Sequence, residues 1–152
     1  MDPREPDPAH RLGPGILCLM SGRDGPDLGL IVSRAGRREA LLLNRRSAKT
    51  GDLPLISDLA ADAEVTVLER AFLAPDGAAA AGPAERRPAA LHLAEGRLFL
   101  CGRDESGTLA TFDVGTGQAS TIDVGKLPQV ARWRVMAPRA GGVVTVYATE
   151  PA

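Results

Sequence analysis

Apolar runs in this chain are cut every few residues by Gly, Asp or Pro, and that interruption leaves little room for anything but short strands. From residue 16 to 32 the sequence reads Ile-Leu-Cys-Leu-Met, then Ser-Gly-Arg-Asp-Gly-Pro-Asp, then Leu-Gly-Leu-Ile-Val. From 98 to 112 it reads Leu-Phe-Leu-Cys, then Gly-Arg-Asp-Glu-Ser-Gly-Thr, then Leu-Ala-Thr-Phe. Each is an apolar run, a Gly-Arg-Asp turn and a second apolar run, which is the pattern of a β-hairpin. This feature says much about architecture and little about chemistry.

The same reading extends along the chain. Strands are expected at 16–20, 28–33, 39–44 and 53–56, with Ala35-Gly36 turning the chain between the second and third. Ser57 followed by Asp58 reads as a helix start, since a Ser side chain caps free N–H groups and an acid suits the positive end of the dipole. That predicts a short helix over 57–63. Residues 64–73 return to alternation, with Val65 and Val67 against Thr66 and Leu68. The Ala-rich stretch 74–84 is bracketed by Pro75, Gly77, Gly82 and Pro83 too tightly for a helix, and reads as a loop.

The second half reads as strands at 90–94, 97–101, 108–114, 119–124, 131–136 and 143–148, with Glu95-Gly96 as a tight turn. In Arg132-Trp133-Arg134, alternation sets both arginines on one face and Trp133 on the other, the core face. Gly96 to Gln118 is similar to one blade repeat of a β-propeller. A closed propeller needs about 40 residues per blade over at least four blades, and no repeat recurs cleanly here. The expected fold is all-β: a meander of about ten short strands forming a sandwich, barrel or propeller-like stack, with at most one short helix. Residues 1–13, with Pro3, Pro6 and Pro8 among charges, read as a flexible N-terminal arm. Residues 14–152 read as a single β-rich domain, with 74–88 the place where a boundary between two halves would fall.

A chain of 152 residues is long enough for one sizeable core. Aromatics make up only 3% of it, so that core rests on Leu, Val, Ile and Ala. A net charge of −1 argues against a general nucleic-acid binder, which is usually basic. The sequence shows neither the apolar core of a signal peptide nor a run of ~20 apolar residues. A cytoplasmic protein without membrane contact, its two cysteines reduced, is therefore expected.

Catalytic and metal signatures are weak. His10, Cys18, His92 and Cys101 have the types of a zinc site, but no two have the close spacing that lets one turn deliver two ligands. The expectation is no metal and no cofactor, with both cysteines as small buried apolar residues. His92, between Leu91 and Leu93, is expected to point to the opposite face, towards solvent or a partner. Ser106 or Cys101 with His92 and Asp104 has the types of a nucleophile triad, yet no Gly-x-Ser-x-Gly elbow is present. Asp24, Asp27, Asp104 and Glu105 sit in turns, where Asp normally bonds its own backbone.

The most suggestive local feature is the stretch 34–49. It sets Arg34, Arg37, Arg38, Arg45, Arg46 and Lys49 against the single Glu39, six cations and one anion for a net of +5. Arginine suits two-point contacts to phosphate or carboxylate. Three functions follow. The leading one is a non-enzymatic structural or protein-interaction module, binding a protein partner or itself through sheet edges, as in a phage-like or other assembly. The second is an anion- or nucleic-acid-binding module using the arginine hairpin. The third is a small β-fold enzyme whose site assembles from distant residues, with His92, Asp104 and Arg134 the first to inspect.

Overall fold

The computed structural model describes residues 7–8, 12–22, 25–46, 54–59, 64–77 and 90–149. Among them the chain is all-β. The one helical piece among the described residues is a single 3₁₀ turn at Val124–Lys126, which Asp123 caps by accepting from the Gly125 N–H. No helix among the described residues is long and apolar enough to cross a membrane.

Two long hairpin strands, β3 (Gly25–Arg34) and β4 (Arg37–Arg46), form the middle of the larger sheet. Their two-residue turn holds Ala35 at φ 51° and Gly36 at φ 77°. Two positive φ values in succession match the twist of the flanking strands, so the hairpin closes in register from Arg34↔Arg37 to Gly29↔Leu42. β2 (Leu17–Gly22) pairs antiparallel with β3, and β5 (Pro54–Asp58) with β4. Past Leu42 the β4 ladder becomes irregular. On its other side, past the last β3 pair Gly29↔Leu42, the Asn44 side chain links β4 to β3, its Oδ1 accepting from Leu28 N–H and its Nδ2 donating to the Pro26 carbonyl.

β6 (Glu64–Val67) pairs with the outer edge of β2, and the two-residue β1 (Asp7–Pro8) pairs with β6. Within the segment read as an arm, Asp7–Pro8 thus lies in a ladder and Leu12 is buried. The helix expected over 57–63 is not formed at its start: Ser57 and Asp58 are in β5, because Leu55 and Ile56 are held between β4 and a strand from the second half. Residues 60–63 lie outside the described residues. The strand expected over 64–73 is split by a turn at Glu69-Arg70, with Arg70 at φ 57°, into β6 and β7 (Phe72–Pro75).

The second half supplies β8 (Leu91–Ala94), β9 (Arg97–Asp104), β10 (Leu109–Asp113), β11 (Ala119–Ser120) and β12 (Gln129–Val130) to the same sheet. β9 is the junction. One of its edges carries β10; the other is divided between antiparallel β8 at Arg97–Phe99 and parallel β5 at Arg103–Asp104. The last strands, β13 (Trp133–Arg139) and β14 (Gly142–Ala148), form a second sheet in the order β14-β13-β7. Leu73, Trp133 and Val135 from this sheet share one core with Leu30, Leu41, Ile56, Leu100 and Phe112 of the larger one. The arrangement is a two-sheet sandwich, one of the expected forms. Trp133 is buried in it, as alternation predicts, with its ring 5.8 Å from that of Tyr147.

The larger sheet is not a closed barrel, but its far end returns to β3 at one point. Asp113 Oδ1 accepts from the N–H groups of Gly115 and Thr116 and so shapes a tight turn. The carbonyl of Gly117 in that turn accepts from Ser33 N–H at 2.8 Å. Gly117 has φ 70°, and a Cβ there would lie 2.3 Å from Gly15 N and 2.5 Å from the Ile31 carbonyl oxygen. Only glycine fits this contact of three backbones. Gly36 has a similar φ of 77° but open space around it. Gly36→Ala should therefore lose about 1–2 kcal/mol from backbone strain alone. Gly117→Ala should lose at least about 2 kcal/mol more, since backbone must shift. Urea midpoints of the two variants check the difference.

Candidate functional site

Strand alternation carries the core stripe of four strands into one polar cluster. On β3 the core residues Leu28, Leu30 and Val32 are followed on the same face by Arg34. On β4 Leu43 and Leu41 lead to Glu39 and Arg37. On β5 Ile56 leads to Asp58, and on β9 Leu100 and Gly102 lead to Asp104. These residues, with Glu105 and Ser106 from the turn after β9, line an open cleft of about 210 Å³ whose floor is Ile56. Gly102 keeps the four strands close: a Cβ there would lie 2.5 Å from Leu41 Cδ1 and 3.0 Å from the Pro54 carbonyl oxygen.

Glu39 is buried, with 4% of its surface exposed. A buried carboxylate needs a charged partner. Arg34 supplies it at two points, Nε to Oε1 at 2.8 Å and Nη2 to Oε2 at 3.0 Å. The same Nη2 reaches Asp104 Oδ2 at 3.2 Å and so joins β3 to β9. The other oxygen of Asp104 accepts from Ser106 Oγ at 2.6 Å, Ser106 N–H at 3.0 Å and Thr108 N–H at 2.9 Å. Asp104 thus spends its carboxylate on its own turn and on Arg34, the turn chemistry expected for an Asp at this place. These bonds hold its pKa down at about 2, the Ser106 hydroxyl contributing most, then Thr108, then Arg34. Arg34 is shifted up, chiefly by Glu39.

The cluster of cations in the sequence is not one surface in the fold. Arg34 and Arg37 lie in the cleft, Arg37 paired with exposed Asp58 at 3.0 Å. Arg38 is exposed at the same end of β4, but alternation turns it to the opposite face. Arg45 lies at the far end of the strand, eight residues from Arg37 or about 26 Å, and pairs with Asp27. Arg46 ends β4, and Lys49 lies outside the described residues. The cleft itself holds two arginines against Glu39, Asp58, Asp104 and Glu105, a net of −2. The signal in the sequence was the end of four apolar stripes; Glu39 sits among the arginines on β4, and the other acids come from β5, β9 and the turn after β9, far from them in sequence.

The enzyme constellation is not assembled. His92 pairs with Phe99, five residues from Asp104 along β9, so about 17 Å separates the two positions. The odd spacing also sets them on opposite faces of the sheet. Arg134 is in the other sheet, with its Nε 4.0 Å from Asp76. His92 does not face solvent: it is buried, because the segment carrying the 3₁₀ turn and β12 covers the face opposite Leu91. Cys101 is buried on that same face, 3.3 Å from Thr111 Oγ1, and Cys18 is buried in a separate cluster with Ile31 and Val65. Burial pushes the Cys18 thiol up to about 11, so it is a poor nucleophile. Among the described residues no group of three or more His, Cys, Asp or Glu is placed to hold a metal ion. No protein-family model, curated protein or solved structure matches this chain.

Two outcomes follow from the cleft. Glu39→Gln removes the charge that pairs with Arg34 and sets an amide NH2 against a guanidinium donor at a buried position, and should cost about 2 kcal/mol, between the values for exposed and buried pairs. Arg37→Ala, which removes an exposed pair, should change stability by less than about 0.5 kcal/mol. Chemical denaturation of both variants measures the contrast. Asp104 has a depressed folded-state pKa, so its contribution is fully present above its ordinary value of 3.8 and is lost as pH falls through about 2. The urea midpoint should therefore drop between about pH 4 and pH 2, and Asp104→Asn should flatten that drop.

Proposed function

We propose that this protein is a non-enzymatic structural or interaction module that works through the open edges of its sheets. The observation that carries the reading is the contrast between two surfaces. In the cleft Arg34, Arg37, Glu39, Asp58 and Asp104 are committed to one another and to a turn, whereas the three-stranded sheet ends on both sides in strands whose outer edges face no other described strand. Such edges present a row of N–H and C=O groups ready to pair. Self-association or capture of an extended segment of a partner is the usual use of them. A subunit of a larger assembly fits this reading.

An anion-binding role for the arginine hairpin is the alternative. The pairing of Arg34, Arg37 and Arg45 with Glu39, Asp104, Asp58 and Asp27 weighs against it. Light scattering at low and high salt separates the two. Edge pairing predicts a defined oligomer that persists in high salt. Association through arginines predicts a mass that falls steeply with salt. A monomer of 15.9 kDa under both conditions contradicts self-association.

A further inference from the structure

We draw no further inference here: the strongest candidate, the open cleft lined by Arg34, Arg37 and four acids where β3, β4, β5 and β9 end, belongs to the site already described, and nothing in the structure beyond that charge cluster points to a ligand.

Discussion

Everything in this fold depends on β9 carrying neighbours on both edges and sharing one edge between two strands. β10 occupies one side along Phe99–Arg103, and on the other side antiparallel β8 gives way to parallel β5. Hairpins close cheaply because their strands are adjacent in sequence, but β5 and β9 are separated by dozens of residues and must be brought together against a larger loop entropy. What offsets that cost is burial at the junction. Gly102 lets Leu41, Ile56 and Leu100 close around the crossing point, and Arg34 ties the β3 end to the β9 end through Asp104. Without that junction the two halves would be joined, among the described residues, only by the β7–β13 ladder and the Ser33–Gly117 contact, with apolar surface of the larger sheet exposed.

The polar cluster follows from the same geometry. A core stripe that ran unbroken to the strand ends would expose leucines and valines at the rim. Each strand instead changes to charge at its last core-facing position, and the charges satisfy one another across β3, β4, β5 and β9. Burying Glu39 is tolerable only because a guanidinium grips both of its oxygens. The cleft is thus a lid of ion pairs over an apolar core, and its charge is spent on holding strands together. The strand edges of the smaller sheet carry no such lid, which is why they, and not the arginines, bear the functional reading.

Local pattern was legible in the sequence and long-range pairing was not. The turns at Ala35-Gly36 and Glu95-Gly96, the burial of Trp133 and the bonding of Asp104 to its own turn all follow from neighbours a few residues apart. Ser57-Asp58 misled because a good helix cap was overridden by pairing with β4, a tertiary effect that local propensity cannot register. His92 misled for a similar reason: alternation gave its face correctly, but the segment that covers that face is more than thirty residues on, around Val124 and Gln129. The arginines looked like a patch because sequence proximity hid the length of β4 and the acids opposite it.

The central claim is that one cooperative unit, joined at β9, presents open strand edges in its smaller sheet, β14 among them. Hydrogen–deuterium exchange followed by residue tests it most directly. The account predicts that amides of β3, β4 and β9 share the slowest exchange, at the rate of global unfolding. It also predicts that the outward amides of Gly142–Thr145 exchange fast in dilute solution. Separate protection levels for the two halves, with β9 opening independently of β3 and β4, would contradict it, as would outward β14 amides protected like those of β9.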